Sequence, residues 1–339
     1  MSDIENIAKQ IVAKGKGILA ADESTGTMTK RLSSVNIEST SENRLKFRET
    51  LFSADGMKNY IGGVILYDET IKQKTSSGRT IPDLIKSFGS IPGIKVDIGA
   101  KKLAGSLNEK VTEGLDGLRE RLTEYYKLGA RFTKWRAVYN ISDKYPSELA
   151  IKSNAHALAR YAALVQEAKM VPIVEPEVLM DGEHNINKCY EVTTKVLKEC
   201  YKELALHNVN LKGTILKPNM ILPGNKSKDK SNTSEIAKMT LKCLKESVPN
   251  EVPGIAFLSG GQTEIEATQN LNEINKINNT NFTMSFSYGR ALQQGALKNW
   301  AKDIKDTNKT QKIFNHRSKM NGLSTSAKWS MDLEKQLTI

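Results

Sequence analysis

Residues 155–178 read AHALARYAALVQEAKMVPIVEPEV, a helical pattern that runs directly into a strand pattern. The first part carries apolar side chains at helical spacing, namely Ala155, Leu158, Ala159, Ala162 and Val165. This spacing predicts a helix with one buried face. The run Val171–Val178 is short and rich in β-branched residues, which is typical of a buried strand. A helix followed at once by a strand is the repeating unit of α/β folds.

The same alternation recurs along the chain and predicts eight strands. Their starts are separated by about 28 to 44 residues, enough for a crossover helix between successive parallel strands. We therefore expect an α/β protein with a single (β/α)8 TIM barrel. An open, doubly wound sheet is the alternative, although no GxGxxG turn follows the first strand. The predicted strands are Gly17–Asp22, Ile61–Asp68, Ile94–Asp97, Arg131–Tyr139, Val171–Val178, Gly213–Pro218, Gly254–Ser259 and Phe282–Ser287.

Other segments complete the predicted domain. Leu115, Leu118, Leu122 and Tyr125 predict a helix, with Gly129 placed to end it. Leu292, Ala296 and Leu297 predict another. We expect one domain over residues 1–339, with an N-terminal helix, a barrel over about 15–300 and a C-terminal tail over about 301–339.

The composition is that of a globular protein with a sizeable core, because 39% of its 339 residues are hydrophobic. The polar start, Met1 to Gln10, does not resemble a signal peptide, and no apolar run reaches the ~18 residues of a membrane helix. Three cysteines without a CxxC pair suit a reducing cytosol. The net charge of +12 is spread over scattered lysines, which predicts a solvated basic surface and no specific nucleic-acid site.

Polar and charged residues stand at the carboxyl ends of the predicted strands. Strands buried on both faces are normally apolar throughout, so these interruptions indicate a shared site at one mouth of the barrel. Residues two apart share a face of a strand, as in the pairs Lys134 with Arg136 and Glu175 with Glu177. The full set is Asp22, Lys95, Lys134, Arg136, Glu175, Glu177, Lys217, Ser259, Ser287 and Arg290.

This mouth has the charge of a phosphate-binding site. Five of its side chains are cationic and three are anionic, which suits a phosphorylated substrate. The turns Ser259-Gly260-Gly261 and Ser287-Tyr288-Gly289-Arg290 follow the seventh and eighth strands. Barrel enzymes often hold phosphate there, on backbone N–H groups.

Lys217 is the predicted nucleophile. A lysine among other cations in a partly dry site loses its proton more readily, and Lys134 is the expected cationic neighbour. A neutral amine attacks a ketone and forms a Schiff base. Glu175 and Glu177 could transfer the protons that this requires, and Asp22 could accept the hydroxyl proton in carbon–carbon cleavage.

No metal or cofactor is expected in the site. A metal site needs clustered ligands, and no histidine lies at ligand spacing from another in the sequence. The four histidines are His156, His184, His207 and His316.

Eight blocks resemble the class I fructose-bisphosphate aldolase family. They lie in register from about Ala8 to Lys328, some nine tenths of the chain. The blocks are LAADESTG (19–26), GGVIL (62–66), GIKVD (93–97), KWR (134–136), VPIVEPE (171–177), LKPN (216–219), FLSGGQ (257–262) and FSYGRAL (286–292). The resemblance implies a cytoplasmic, homotetrameric lyase. It also implies metal-independent, reversible cleavage of fructose 1,6-bisphosphate to dihydroxyacetone phosphate and glyceraldehyde 3-phosphate, in glycolysis and gluconeogenesis.

The resemblance also implies residue roles. Lys217 matches the Schiff-base lysine, Glu175 the acid–base carboxylate with Glu177 and Lys134 as its partners, and Asp22 the carboxylate that assists cleavage. The cradle of the ketone-side phosphate is matched by Ser259, Gly260, Gly289 and Arg290, and Gly261 and Ser287 of the same two turns are predicted to bind substrate as well. Groups near the other phosphate are matched by Ser24, Arg31, Lys95 and Arg136.

The C-terminus departs from the family pattern. Many animal members end in a tyrosine that assists proton exchange on the enamine, whereas this chain ends KQLTI (335–339) and its last tyrosine is Tyr288. The group that transfers this proton is therefore not assigned from the sequence.

Two other functions are compatible with parts of the sequence. One is the same chemistry on another phosphoketose or a sugar monophosphate, which two separate phosphate-binding regions disfavour. The other is a binding or scaffold protein that uses the basic surface, which the charged cluster at the barrel mouth disfavours.

Overall fold

A computed structural model describes residues 3–337 and shows a closed barrel of eight parallel strands. The strands, numbered in chain order, are β1 Gly17–Ala21, β2 Ile61–Leu66, β3 Ile91–Lys95, β4 Ala100–Lys102, β5 Lys110–Thr112, β6 Phe132–Tyr139, β7 Val171–Val178, β8 Ile215–Leu216, β9 Gly254–Phe257 and β10 Thr283–Tyr288. The barrel runs β1-β2-β3-β6-β7-β8-β9-β10 and closes on β1, while β4 and β5 form a separate antiparallel hairpin. The predicted TIM barrel is confirmed.

Helices surround the barrel and follow its strands. They are α1 Asp3–Ile11, α2 Thr25–Ser33, α3 Ser41–Phe52, α4 Asp55–Tyr60, α5 Asp68–Ile71, α6 Ile81–Ser87, α7 Leu118–Lys127, α8 Glu148–Glu167, α9 Ile186–Leu206, α10 Thr233–Ser247, α11 Glu264–Ile277, α12 Arg290–Trp300, α13 Thr307–Ser324 and α14 Met331–Glu334, with a 3-10 turn at Leu211–Gly213. Among the described residues, no helix is long and apolar enough to cross a membrane. Cys189 and Cys200 are both buried in α9.

Several predicted boundaries were wrong. The third strand begins at Ile91, three residues before the predicted start, and the sixth is reduced to Ile215–Leu216. The helix predicted from Leu115 begins at Leu118, although Leu115 still packs against the core. The β4–β5 hairpin lies between β3 and α7, where no strand was predicted. Met1, Ser2, Thr338 and Ile339, which belong to the predicted termini, lie outside the described residues.

Helix α1 closes the amino-terminal end of the barrel. Ile11 and Val12 are fully or almost fully buried, at 0% and 1% exposed, and pack in one cluster with side chains that point into the barrel, including Ile18, Ile65, Phe132, Ile173 and Ile215. Gly62 permits the close approach, because a Cβ there would lie 2.1 Å from the Ile11 carbonyl oxygen. The functional end must therefore be the opposite, carboxyl-terminal mouth.

Shortening a side chain with which α1 closes this end of the barrel should destabilise the protein strongly. We expect Ile11→Ala to lower the free energy of unfolding by about 2–5 kcal/mol, because the change leaves a cavity in a packed interior. Urea denaturation measures this difference. Leu206→Ala is the control, since that side chain is 67% exposed and its loss should change stability by less than about 0.5 kcal/mol. Equal effects from the two substitutions would contradict the conclusion that α1 packs into this end of the barrel.

The C-terminal tail folds back on α13. Glu334 of α14 accepts hydrogen bonds from both terminal nitrogens of Arg317, each at 2.7 Å, and from Trp329 Nε1 at 2.8 Å. The Glu334 side chain is 10% exposed, so this ion pair is largely shielded from water. The last turn before residue 337 is thereby fixed to the outer helical layer.

Candidate active site

A cleft of about 1010 Å³ opens at the carboxyl-terminal mouth of the barrel. Every residue predicted for the site lines it. The catalytic set is Asp22, Lys134, Glu175, Glu177 and Lys217, and the substrate-binding set is Ser24, Arg31, Lys95, Arg136, Ser259, Gly260, Gly261, Ser287, Gly289 and Arg290. Arg31 comes from α2, and the others come from the ends of seven barrel strands or the segments just after them, which explains why the sequence shows them as isolated polar residues.

Lys217 emerges directly from β8. Its backbone N–H donates to the Val174 carbonyl at 2.8 Å, so the backbone stays registered with β7 where the regular strand ends. The side chain is only 6% exposed, and Nζ lies 3.0 Å from Oε1 of Glu175. A buried amine is thus held in contact with a carboxylate that can exchange a proton with it.

Lys134 is a second amine at the same carboxylate. Its Nζ lies 2.8 Å from Oδ2 of Asp22 and 3.5 Å from Oε2 of Glu175. Burial lowers the pKa of Lys134, but the nearby charges of Asp22, Glu175 and Asp97 outweigh burial and raise the pKa above its usual value. Lys134 is therefore a permanent cation, and Glu175 separates it from Lys217.

Asp22 is held in its anionic form by the neighbouring amines. Burial raises its pKa, but Lys134 and Lys217 outweigh burial and lower the pKa to about 2. The side chain is 13% exposed, at the end of β1. A bound molecule that covered it would increase the effect of burial and make the carboxylate a stronger base.

Three of the predicted substrate-binding cations are paired with carboxylates. Arg136 Nε donates to Glu177, and Lys95 Nζ lies 2.7 Å from Oδ1 of Asp97. Arg31 likewise pairs with Glu23. Burial lowers the pKa of Arg136, but Glu177 and Glu175 outweigh it and raise the pKa. These pairs keep the cations extended into the cleft.

The loops after β9 and β10 have features that suit an anionic group. Gly260 and Gly261 have φ angles of +54° and +87°, a left-handed turn that favours glycine. Gly289 is the N-cap of α12, so the free N–H groups of that helix begin at Arg290. The Ser287 side chain is buried, and its Oγ has no hydrogen-bond partner among the described residues. An unpaired hydroxyl beside two glycine turns suits an anionic group.

Two buried carboxylates of the cleft lining, Asp97 and Glu23, were missed from the sequence. Asp97 binds Lys95 and lies 3.9 Å from Lys134 Nζ. Its spacing of two from Lys95 was a usable signal, since it matches the pairs that were recognised. Glu23 accepts from Arg31 and from Gln293 Nε2 at 3.0 Å. No sequence signal marks Glu23, because its partners Arg31, Arg48 and Gln293 come from helices α2, α3 and α12.

Comparisons with known proteins agree on one family. The model of the glycolytic family "Fructose-bisphosphate aldolase class-I" matches residues 3–338. A probable fructose-bisphosphate aldolase class 1 of Xylella fastidiosa is 52% identical over 330 residues, 97% of this chain and 99% of that protein. Cytosolic fructose-bisphosphate aldolase 4 of Arabidopsis thaliana is 51% identical over 328 residues, 96% of this chain and 84% of that protein. A solved aldolase structure from Plasmodium falciparum superposes with a TM-score of 0.95 at 43% identity and covers 96% of this chain and 95% of that one.

Proposed function

The chain belongs to the class I fructose-bisphosphate aldolase family, whose glycolytic, metal-independent lyase reaction cleaves fructose 1,6-bisphosphate, and we propose that Lys217 forms the Schiff base of this reaction. The contact between Lys217 Nζ and Glu175, at 3.0 Å in a buried site, carries the proposal. It supplies the two requirements of imine formation: a nucleophilic amine, and an adjacent group that can move protons.

The proposed sequence begins with attack of the neutral Lys217 amine on the substrate ketone. Glu175 moves the protons that convert the resulting carbinolamine into an iminium ion and water. The bond between the third and fourth carbons then breaks, and its electron pair neutralises the iminium to give an enamine. Asp22 accepts the proton of the hydroxyl on the fourth carbon, and that carbon leaves as the aldehyde. Protonation of the enamine and hydrolysis of the imine release dihydroxyacetone phosphate and restore Lys217.

Lys134 assists as a fixed positive charge. It lies between Asp22 and Glu175, so it holds both carboxylates at the reacting carbons. Glu177 is assigned as the partner of Glu175, and its contact with Arg136 anchors it at the end of β7. Tyr288 does not face this chemistry, because it is buried and its hydroxyl donates to the Ala267 carbonyl.

We assign the two phosphates to two different sets of residues that line the cleft. The cradle formed by Ser259, Gly260, Gly261, Ser287, Gly289 and Arg290 takes the ketone-side phosphate. The other phosphate is assigned to Ser24, Arg31, Lys95 and Arg136. The unpartnered hydroxyl of Ser287 and the start of α12 support the first assignment.

A cleavage assay tests the whole proposal. We expect turnover of fructose 1,6-bisphosphate that EDTA leaves unchanged, and a lower kcat/KM for fructose 1-phosphate because the second phosphate site would then be empty. Equal kcat/KM on the two sugars would reject the second phosphate site. Failure to cleave either would reject the proposed chemistry.

Arg290 should contribute mainly to substrate binding. We expect Arg290→Ala to lower kcat/KM by about 10–100-fold, as expected for loss of a charge-assisted hydrogen bond to phosphate, with most of the change in KM. Steady-state kinetics measure how the loss is divided between kcat and KM. Lys298→Ala is the matched control, because it removes an exposed positive charge from the same helix outside the cleft. A KM unchanged in Arg290→Ala would remove Arg290 from the phosphate cradle.

We further propose a cytoplasmic homotetramer, as is typical of the family. Relatives in Arabidopsis thaliana and Spinacia oleracea are named cytosolic or cytoplasmic, which supports the location. Light scattering during size-exclusion chromatography tests the assembly, which should have the mass of four 37.6 kDa chains. A mass of one or two chains would contradict it.

A further inference from the structure

Three side chains that can bind metal meet on the outer surface of the barrel, away from the cleft. His156 lies on α8, whereas Glu203 and His207 lie at the end of α9. His156 Nδ1 is 3.1 Å from Glu203 Oε2, and the two imidazole rings have centroids 5.1 Å apart. One potential ligand atom from each residue lies within 4.8 Å of the other two. The fold therefore joins two histidines that are far apart in the sequence.

We propose that His156, Glu203 and His207 bind one divalent transition-metal ion of the Zn²⁺ type. Two imidazole nitrogens and one carboxylate oxygen are ligands that Zn²⁺ prefers, and a water molecule would complete a tetrahedron. Zinc bonds of roughly 2.0–2.2 Å place the donors of a tetrahedron about 3.3–3.6 Å apart. The His156–Glu203 pair, at 3.1 Å, is already this close, and separations of up to 4.8 Å require a ring to move by about 1 Å. His156 is free to do so, because its side chain is 53% exposed.

The hydrogen bond at His207 prepares that ring for coordination. Its Nδ1 lies 2.9 Å from the Glu203 backbone carbonyl, which can only accept a hydrogen bond. Nδ1 must therefore carry the proton, and the lone pair is left on Nε2. Metal-binding histidines commonly have their other ring nitrogen fixed in this way. Glu203 is the least exposed of the three, at 16%, so its carboxylate is held in place.

An ion at this site would link α8 to α9 and stabilise the outer layer. None of the three residues lines the cleft, so the ion would not take part in the lyase reaction. Catalysis is metal-independent in this family, and the proposed site adds a structural role that a cleavage assay alone would not reveal. The inference does not depend on the catalytic assignments.

Zinc titration calorimetry on the full chain without a histidine tag tests the proposal. We expect one equivalent of Zn²⁺ per chain, a higher unfolding temperature with Zn²⁺ than with EDTA, and an unchanged kcat. Co²⁺ should give the visible absorption of a low-coordinate site. His156→Ala and Glu203→Gln should each weaken zinc binding at least about tenfold.

Lys202→Ala is the matched control, because it removes an exposed side chain next to Glu203 and should leave zinc affinity unchanged. Zinc affinity in His156→Ala and Glu203→Gln equal to that of the unmodified chain would place the ion elsewhere and overturn the proposal. So would an unfolding temperature that does not respond to excess Zn²⁺. The kcat of each variant shows that it is folded.

Discussion

Replacing Lys217 with methionine should lower kcat for fructose 1,6-bisphosphate by at least about 10⁴-fold, comparable to the loss of a catalytic nucleophile in other enzymes. Methionine keeps much of the length and packing of the side chain but cannot form an imine. Borohydride treatment in the presence of dihydroxyacetone phosphate should therefore trap no adduct, whereas the unmodified chain should carry one adduct on Lys217. Stopped cleavage assays and peptide mass spectrometry measure the two outcomes.

Lys212→Met is the control for this experiment. Lys212 is an exposed lysine in the turn just before β8, and its loss should leave both turnover and trapping intact. Lys134 is the alternative nucleophile, because it contacts the same Glu175. If the Lys217→Met chain still forms an adduct and the adduct maps to Lys134, then Lys134 is the Schiff-base lysine and the assignment of Lys217 is wrong.

The barrel could be predicted because each strand carries its signal locally. Short apolar runs, their spacing and the charges at their ends are all visible in the sequence. The start of the third strand could not be read in this way, because Pro92 and Gly93 resemble a turn. In the structure, Gly93 is part of β3 because the Phe132 ring fills the space of its side chain, with a hypothetical Cβ only 2.4 Å from the ring. That requirement comes from a neighbouring strand.

The β4–β5 hairpin depends on contacts that no local pattern shows. Each strand has only three residues, mostly exposed, and neither has an apolar face. Its support comes from α8, where Asn154 accepts a hydrogen bond from the Thr112 N–H at 3.1 Å and donates to the Lys110 carbonyl at 2.8 Å. A buried amide more than 40 residues away thus decides the local structure.

For the site, the members of the cluster could be predicted from the sequence, but their pairing could not. Strand ends identify which residues reach the mouth, since parallel strands end on one side. The choice of partner depends on the twist and stagger of the barrel. Lys134 was expected beside Lys217, and the structure inserts Glu175 between them. The ion pairs of Arg31 and Lys95 were likewise invisible because Glu23 and Asp97 were not recognised.

Replacing Asp22 with asparagine should separate cleavage from imine formation. We expect kcat to fall by about 10²–10⁴-fold, the usual range for loss of a general base, because asparagine has the same size but cannot accept the hydroxyl proton. The borohydride adduct on Lys217 should still form, since Glu175 keeps its contact with Lys217. Turnover and trapping are measured on the same preparation.

The result also decides how the charge of Asp22 is used. The low pKa of Asp22, about 2, reflects Lys134 and Lys217, so replacing Asp22 also removes a counter-ion from both amines. If Asp22→Asn loses trapping and cleavage in equal measure, the carboxylate acts by holding the two lysines in place. If trapping persists while cleavage fails, the carboxylate acts on the substrate hydroxyl. Asp68→Asn is a suitable control, because Asp68 also lines the cleft but pairs with Lys72 and Tyr125, away from the two amines.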